Sequence, residues 1–237
     1  MKVLVLGASG ATGKLVVQEL IKRNIQVRIV VRKSAILPSQ ISDDKGIEII
    51  KGNINDFEVA KINELVKDCN SVICCLGHNI SFKGIYGPPL KLVSNTVSKI
   101  IEALKSQHIN SKFILMSTTA YTNGKINEVN DFREKLVFTL LEVLLPPHKD
   151  NMLAANKLVN ELSSKTSVEW VTVRPDSLFD EDNVTNYEIH NKKIRSPIFN
   201  PGKTSRINVS HFMVELISND KLWQEWKYKT PVIYNKE

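Results

Sequence analysis

Short apolar runs alternate along the chain with segments whose apolar residues recur every three or four positions. The apolar runs, rich in Val, Ile and Leu, predict strands at Lys2–Leu6, Gln26–Val31, Ile47–Ile50, Ser71–Leu76, Phe113–Met116 and Val168–Val173. The periodic segments predict helices at Lys14–Lys22, Phe57–Val66, Lys91–Leu104, Phe132–Leu145 and Asn151–Ser163. Buried strands that alternate with helices are typical of a parallel sheet covered on both faces, and right-handed crossovers make that sheet doubly wound. The pattern therefore predicts an α/β fold built on a doubly wound parallel sheet.

The alternation fades after the sixth predicted strand. Residues 176–209 are polar, and we expect them to form an irregular segment, with a short strand or two, that covers the cleft at one end of the sheet. A last helix is predicted at Ser210–Ser218, before an aromatic tail whose Trp223–Tyr228 cluster we expect to serve packing. No linker is long enough to separate independent domains, so residues 1–237 are predicted to form one domain.

Composition narrows the class of protein. With 42% hydrophobic and 24% charged residues, the chain is typical of globular proteins, which excludes disordered and fibrous classes. The first apolar run becomes glycine-rich at Gly7, too early for a signal-peptide core, and no run is long enough for a membrane span. Cys69, Cys74 and Cys75 lie close together, so we expect reduced core residues of a cytoplasmic protein, without a disulfide framework or a metal site.

The net charge favours anionic partners but does not indicate which kind. Lys and Arg number 32 against 25 for Asp and Glu, which gives +7. Five of these cations stand in a span without acidic residues, namely Lys192, Lys193, Arg195, Lys203 and Arg206. The span is either a basic rim that attracts an anionic substrate or a solvated basic loop. We expect no nucleic-acid partner, because aromatic residues do not interleave with these charges as stacking platforms would.

A glycine-rich loop joins the first predicted strand to the first predicted helix. It contains Gly7, Gly10 and Gly13, with Ser9, Ala11 and Thr12 among the residues between them. Backbone amides at a helix N-terminus bind anions, and glycine lets the chain approach a pyrophosphate closely. The spacing Gly-x-x-Gly-x-x-Gly differs from the usual Gly-x-Gly-x-x-Gly, but the strand before it and the helix after it are the context that such a loop requires. We therefore predict a dinucleotide site here, the alternative being a tight structural turn.

The end of the second predicted strand indicates which nicotinamide cofactor is bound. An NAD site carries Asp or Glu there, whereas this chain has Arg32, whose guanidinium suits the 2′-phosphate of NADPH unless it is a solvated surface residue. Two further loops should border the cofactor, because ligands of doubly wound sheets gather at this edge. They hold Asn53 and Ile54 after the third strand and Leu76, Gly77 and His78 after the fourth. His78 is either a polar cofactor contact or a plain loop histidine.

These residues resemble the atypical short-chain dehydrogenase/reductases, in the group that holds biliverdin reductase B, a flavin reductase, and the NmrA-like proteins. The similarity covers nearly the whole chain and is carried by Gly7–Gly13, Val31–Ser39, Gly52–Asp56, Cys75–Gly77, Phe113–Thr119 and Val173–Pro175. It implies a Rossmann-like NAD(P)-binding fold with a small C-terminal substrate-side region. It also implies cofactor contacts at Gly7, Gly10, Thr12, Gly13, Arg32, Asn53, Ile54, Leu76, Gly77, Ser117 and Pro175.

The resemblance further implies where hydride transfer would occur. Flavin reductases of this group have a Ser near the nicotinamide at the end of the fifth strand, and the matching position is Thr118, preceded by Ser117. Their His after the sixth strand has no counterpart, because the matching place falls near Ser177. The helix Phe132–Leu145 and residues 146–151 form an insertion that we expect to cover the substrate side.

Most short-chain reductases place Tyr-x-x-x-Lys on one helix face, with the Tyr as general acid. Tyr121 and Lys125 have this spacing in the present sequence. The Asn123-Gly124 dipeptide between them is a turn signal that would break the required helix. We therefore do not expect this pair to act as the catalytic one.

The helix at Asn151–Ser163 stands where the catalytic pair would be expected. It offers Lys157, but Leu153 lies four residues before it, so the tyrosine proton donor is expected to be missing. Lys157 is either a ligand of the nicotinamide ribose or an exposed helix lysine. His148 and His211 have no partner carboxylate placed with them in the sequence, so we expect both to have ordinary structural roles.

Three functions remain open at this point. An NADPH-dependent oxidoreductase acting on a conjugated acceptor, such as a flavin, a quinone or a tetrapyrrole-like molecule, is favoured, because such an acceptor can take its proton from water. An NmrA-like redox sensor would bind the dinucleotide without turnover. A nucleotide-sugar epimerase or dehydratase is disfavoured by the missing tyrosine. We expect a small-molecule partner, anionic if the basic span contributes, no membrane partner, and a monomer or small homo-oligomer.

Overall fold

The computed structural model describes residues 1–79, 81–162 and 166–236. The strands are β1 (Lys2–Leu6), β2 (Gln26–Val31), β3 (Ile47–Lys51), β4 (Ser71–Cys74), β5 (Ser111–Met116), β6 (Val168–Pro175), β7 (Ser177–Phe179), β8 (Tyr187–His190), β9 (Lys203–Ser205) and β10 (Val232–Asn235). Eight of them form a sheet in the order β3-β2-β1-β4-β5-β6-β10-β8. All neighbours pair in parallel except β8, which runs antiparallel to β10. Strands β7 and β9 form a separate parallel pair.

Helices cover both faces of the large sheet. They are α1 (Ala11–Lys22), α2 (Ser39–Ser42), α3 (Val59–Val66), α4 (Phe82–Tyr86), α5 (Leu92–Ser106), α6 (Phe132–Leu144), α7 (Pro146–Asn156), α8 (Arg206–Ser218) and α9 (Asp220–Trp226). Successive side chains of a strand point to opposite faces. In β1, Leu4 and Leu6 belong to the core under α3, α5 and α7, whereas Val3 and Val5 belong to the core under α1 and α8.

This architecture confirms the predicted doubly wound parallel sheet. The strand order reverses between β1 and β4, because the chain extends the sheet first through β2 and β3 and then, from the other side of β1, through β4 to β6. The carboxyl ends of β1 and β4 therefore diverge into loops on opposite sides, and ligands of such sheets bind in the crevice between them.

Several predicted boundaries are wrong by a few residues, for local reasons. Helix α1 begins at Ala11 rather than Lys14, since the end of the glycine loop already forms its first turn. Helix α8 begins at Arg206 rather than Ser210, because the Ser205 hydroxyl accepts a hydrogen bond from the Asn208 amide at 3.3 Å and caps the helix.

The helix predicted at Asn151–Ser163 differs from the prediction in its start and in its geometry. It begins earlier, with the prolines of α7, and from Lys157 to Glu161 it widens into a π-helix. Its predicted end at Ser163 lies outside the described residues. A proline at the first helical position fits there because its missing N–H would have no partner within the helix.

The C-terminal third is more regular than its sequence indicates. Three short strands, β7, β8 and β9, lie within residues 176–209. The tail forms α9 and then β10, which inserts beside β6. Trp223 is 1% exposed, so the predicted packing role of the aromatic cluster is confirmed for this residue.

The three cysteines are free and buried, as expected of core residues. Across the described ranges, no helix combines the length and apolar character needed to cross a bilayer. In the same ranges, no three His, Cys, Asp or Glu side chains are grouped so that they could hold a metal ion.

Candidate functional site

A cavity of about 860 Å³ opens at the carboxyl ends of the first four strands, where the strand order reverses. The loops after these strands supply much of its lining, namely Gly7, Ser9 and Gly10, then Arg32, Lys33 and Ser34, then Gly52, Asn53 and Ile54, and then Leu76, Gly77 and His78. The segment between β4 and α5 forms a further wall with Gly84, Gly87, Pro88, Pro89 and Leu92. The structure thus brings together the cofactor residues predicted on four separate loops.

The glycine loop is held in a conformation that side chains would prevent. Gly7 has φ +81°, and a Cβ atom there would lie 2.5 Å from the carbonyl oxygen of Cys75. A Cβ atom on Gly13 would collide with the Gly7 carbonyl. The Gly10 amide donates to that same carbonyl at 2.9 Å, which closes the turn. These contacts explain why glycine stands at both ends of the loop.

The N-terminus of α1 fits the phosphates of a dinucleotide. Gly10 is the N-cap and offers no side-chain acceptor, so the first-turn amides, including those of Ala11, Thr12 and Gly13, have no capping group. Uncapped amides at a helix N-terminus bind anions, and the helix dipole adds to the attraction. Gly10 lines the cavity, whereas Ala11, Thr12 and Gly13 follow it into the helix.

The end of β2 presents cationic side chains to the same cavity. Arg32, Lys33 and Ser34 are exposed and line it. Among the described residues, none forms an ion pair with Arg32 or Lys33, so both charges are available to a ligand. No carboxylate stands at this strand end to accept ribose hydroxyls.

His78 lines the cavity but is bound within the protein. Its Nε2 lies 2.9 Å from Asp150 Oδ2, and its Nδ1 lies 3.2 Å from the carbonyl oxygen of Gly84. Both neighbours are acceptors, so both contacts are hydrogen bonds only when the ring carries a proton on each nitrogen. Because both ring nitrogens have partners within the protein, the predicted polar contact from His78 to a cofactor would require one nitrogen to change its partner.

Asp150, which the sequence analysis missed, connects α7 to α5. Its carboxylate accepts hydrogen bonds from the Val93 amide at 2.7 Å, the Ser94 amide at 3.0 Å and the Ser94 hydroxyl at 2.5 Å. Burial alone would raise the pKa of Asp150, but the hydrogen bonds from His78, Ser94 and Val93 outweigh burial and lower the pKa below its ordinary value. The ionised carboxylate thus caps α5 and fixes His78. The lone Asp in the sequence gives no signal of this role.

The ends of β5 and β6 lie beside this cavity without lining it. The Ser117 amide donates to the Val173 carbonyl at 2.8 Å, and its buried Oγ has no hydrogen-bond partner among the described residues. The half-buried Thr118 accepts a hydrogen bond from the Ala120 amide at 3.3 Å, and among the described residues its hydroxyl proton has no acceptor. An orphaned buried hydroxyl suits a polar ligand group that comes to this strand end. Pro175 is buried and its carbonyl accepts from the Thr119 amide.

Asp176 is a second acidic residue that the sequence analysis missed. It precedes Ser177, at the place where the resembling group has a His. Its carboxylate accepts hydrogen bonds from the amides of Gly202 at 3.0 Å and Ser177 at 2.9 Å. Burial raises the pKa of Asp176. Its contacts hold the irregular segment against β6.

The Tyr121 and Lys125 side chains are bound to separate partners. Residues Gly124–Ile126 form a 3-10 turn, as the turn signal predicts, and Asn123 caps it. The Tyr121 hydroxyl donates to Asn156 Oδ1 at 3.1 Å, and burial raises the pKa of Tyr121 to about 12. Lys125 Nζ donates to the Val159 carbonyl.

Lys157 and two histidines lie away from the cavity lining. Lys157 Nζ is 3.7 Å from Glu161 Oε1. His148 stacks on Phe138, with ring centroids 5.9 Å apart, and burial lowers its pKa. The expectation that His211 lacks a carboxylate is wrong, because Glu215, one helical turn on, lies 3.7 Å from its Nε2. The Tyr187 hydroxyl also lies 2.8 Å from Nδ1 of His211.

The cations of the predicted basic rim do not line the larger cavity in the part of the chain that the structure describes. Lys193 Nζ donates to Asn130 Oδ1 at 2.6 Å, and Arg206 pairs with Asp180 at 3.0 Å. Arg195 and Lys203 line a smaller cavity of about 520 Å³ beside the end of β10. Lys193 and Arg206 thus have partners close to the span itself.

Comparison with known structures supports the fold described above. A short-chain dehydrogenase/reductase from Veillonella parvula in complex with NADP superposes with a TM-score of 0.71, at 16% identity over 99% of this chain and 94% of that one. A candidate NADH-flavin reductase from Streptococcus pneumoniae gives 0.68, at 17% identity over the whole of both chains. An anaerobilin reductase from Escherichia coli O157:H7 gives 0.69, at 14% identity over 100% and 98%. At these identities the likeness shows the fold.

Sequence comparison gives the family. An uncharacterized chloroplastic protein of Arabidopsis thaliana is 24% identical over 177 residues, which are 75% of this chain. The chain spans 59% of the length of this curated relative. The sequence model of the NAD(P)H-binding family matches residues 7–220, which include the glycine loop and every loop that lines the larger cavity. The chain therefore belongs to the NAD(P)H-binding family.

Proposed function

We propose that this protein is an NADPH-dependent oxidoreductase that transfers hydride to a conjugated acceptor, of the flavin, quinone or tetrapyrrole type. One observation carries the proposal, namely the cavity at the strand-order reversal. It joins the uncapped N-terminus of α1 on one side to the cationic end of β2 on the other. A dinucleotide presents phosphates at both places when it carries a 2′-phosphate.

The side chains at the end of β2 support NADPH over NADH. Arg32 can form forked hydrogen bonds with phosphate oxygens, and Lys33 adds a second positive charge at the cavity. The amides of the glycine loop would hold the pyrophosphate, and the loop with Asn53 and Ile54 would border the adenine. Bound NADPH supplies the hydride from its nicotinamide ring.

The missing proton donor supports a conjugated acceptor. A simple carbonyl builds negative charge on oxygen as hydride arrives and needs an acid held close by. Tyr121 is engaged by Asn156, and Leu153 stands where the tyrosine of the usual pair is expected. A flavin or quinone spreads the charge over its rings and takes its proton from water. The protein then needs only to hold two rings together, and such positioning supplies up to about 7–11 kcal/mol.

The hydroxyls at the end of β5 are proposed to orient the reacting rings. Among the described residues, the buried oxygen of Ser117 has no partner and the hydroxyl proton of Thr118 has no acceptor. Either group could form a neutral hydrogen bond of about 0.5–1.5 kcal/mol with the nicotinamide or the acceptor. Lys157, which pairs weakly with Glu161, would reach the nicotinamide ribose only if α7 and its π-helical end approached the cofactor.

Steady-state oxidation of NADPH tests this function, with FMN, a neutral quinone and an aliphatic ketone as acceptors. We expect turnover with FMN or the quinone and none with the ketone. Thr118→Val should slow flavin reduction by roughly tenfold or less, whereas Tyr121→Phe should change it little. Tight NADPH binding without turnover would instead indicate a redox sensor. Loss of turnover in Tyr121→Phe, or a preference for ketones, would contradict the mechanism.

A further inference from the structure

Helix α6 turns an apolar face toward solvent. Phe132, Leu136 and Val143 are 81%, 65% and 76% exposed, and Leu140 and Leu144 are more than half exposed. At about 3.6 residues per turn, these five side chains form one continuous stripe along the helix. A contiguous apolar surface of this kind is typical of an interaction site in a protein that is otherwise well packed.

The orientation of α6 is fixed by its inner face. Phe138 lies on the side opposite the stripe, is 7% exposed, and stacks on His148 of α7 with an interplanar angle of 7°. Glu134 accepts a hydrogen bond from the Ser196 hydroxyl at 2.5 Å and forms a capping box with Asp131. The helix therefore cannot rotate to bury the stripe without breaking these contacts.

Two charges of opposite sign flank the stripe. Lys135 and Glu142 are two helical turns apart and lie on the same side of it. Both are exposed, and neither forms an ion pair with any described residue. In an antiparallel helix pair related by a two-fold axis, each flank of one helix lies beside the same flank of the other. The N-terminal end of one helix lies beside the C-terminal end of the other. Placing Leu136 opposite Leu140 of the partner subunit then brings Lys135 to Glu142 of the partner subunit, and symmetry repeats that pair.

We propose that the apolar face of α6 binds the α6 face of a second copy of this chain, antiparallel, about a two-fold axis that passes near the level of Phe138. Parallel pairing would bring opposite flanks together and set Lys135 near Arg133 of the partner subunit, which the charges oppose. Arg133, on the other flank, would lie near the C-terminal end of the partner helix, where a cation is favoured. A membrane surface is a poorer occupant, because interfacial helices carry mainly cations beside their apolar face.

The size of the contact sets the strength of this dimer. A helix of 13 residues is about 20 Å long, so one helix pair buries less than the ~1,200 Å² of a standard stable interface. The exposed Val129, just before α6, can extend the contact at each end. We therefore expect a reversible dimer that dissociates on dilution.

Sedimentation equilibrium of the full chain, from low micromolar to millimolar concentration, tests the proposal. The wild type should show a monomer–dimer equilibrium. Lys135→Glu should raise the dissociation constant about tenfold, because two attractive pairs become repulsive. Adding Glu142→Lys to Lys135→Glu should restore the wild-type value. Lys221→Glu, on the exposed surface of α9, makes the same charge change and should have no effect.

Loss of the stripe provides a second test. Leu136→Lys with Leu140→Lys should abolish association, while circular dichroism and thermal unfolding verify the fold. A wild type that stays monomeric throughout the range would overturn the proposal. So would association that persists in the double lysine variant, failure of the charge exchange to restore binding, or binding to lipid vesicles without self-association. None of these outcomes depends on whether the protein turns over NADPH.

Discussion

Under the proposed function, Arg32 is the side chain that we expect to distinguish NADPH from NADH. It stands one residue beyond β2, is exposed at the cavity, and has no carboxylate partner among the described residues. A guanidinium that is already paired would lose that pairing when it bound a phosphate. Arg32 would lose only water contacts, so its binding to a 2′-phosphate is opposed only by desolvation and side-chain ordering.

Arg32→Ala should weaken NADPH binding by about 1.5–3 kcal/mol, which is the value of a hydrogen bond to a charged group. NADH binding should hardly change, because NADH has no 2′-phosphate. Isothermal titration with both cofactors measures the two effects. Lys45→Ala removes the same charge from an exposed turn and should leave both affinities unchanged. Equal losses for NADPH and NADH would show that Arg32 supports the fold of the loop.

At the scale of elements, the wall of the cavity depends on one carboxylate that three elements share. Asp150 is supplied by α7, accepts from the first turn of α5, and holds His78 of the loop after β4. His78 in turn contacts the Gly84 carbonyl in α4. The residues of this loop line the larger cavity, so the contact with α7 helps to fix the position of that wall.

Asp150→Asn should lower the free energy of unfolding by about 1.5–3 kcal/mol at neutral pH, because charged hydrogen bonds at a helix N-terminus are replaced by neutral ones. The pKa of Asp150 is lowered in the folded protein, so its contribution is present above the ordinary pKa and is lost as the pH falls through the folded value. Urea unfolding at several pH values measures this difference. It should shrink in acid.

The control for this variant is Asp220→Asn. Asp220 also stands in the first turn of a helix, α9, but its side chain is 91% exposed. We expect a change well below that of Asp150→Asn, because solvent screens an exposed charge. Asp220 also pairs with Lys112 at 2.9 Å, so a similar loss at both positions would contradict a special contribution from the shared contacts of Asp150.

The helices and strands with a clear pattern of apolar residues could be predicted from the sequence. Those that form only through tertiary contacts could not. Strands β1 and β2 have the predicted bounds, because an apolar run between polar turns has few other ways to be buried. Strand β10 was missed because its four residues become a strand only by pairing with β6 and β8. The glycine loop could be recognised from the sequence because the spacing of its glycines reflects a local conformation that side chains would prevent. Asp150 gave no such signal, since its partners Val93 and Ser94 are more than fifty positions away.

At the scale of the whole molecule, a buried ion pair joins the end of the sheet to the C-terminal third. Arg174 of β6 is completely buried and donates to Glu128 at 2.6 Å, to the Tyr121 carbonyl at 2.8 Å and to the Thr230 carbonyl at 2.7 Å. Glu128 also accepts from the Lys193 amide at 2.8 Å. The pair thus connects the segment after β5, the span after β8 and the approach to β10. These are the parts of the chain that lack strong local patterns.

Glu128→Gln should destabilise the protein by about 3–5 kcal/mol, because it leaves the guanidinium of Arg174 buried without a countercharge. Burial alone would raise the pKa of Glu128, but the bonds from Arg174 lower it below its ordinary value, so this contribution too should fade as the pH falls through the folded pKa. Urea unfolding measures the loss, with the exposed Glu102→Gln as control. Arg174→Met combined with Glu128→Leu should be less destabilised than Glu128→Gln, because no buried charge remains unpaired. If the double variant were the weaker of the two, the hydrogen bonds from Arg174 to the Tyr121 and Thr230 carbonyls, and not the ion pair, would hold these segments together.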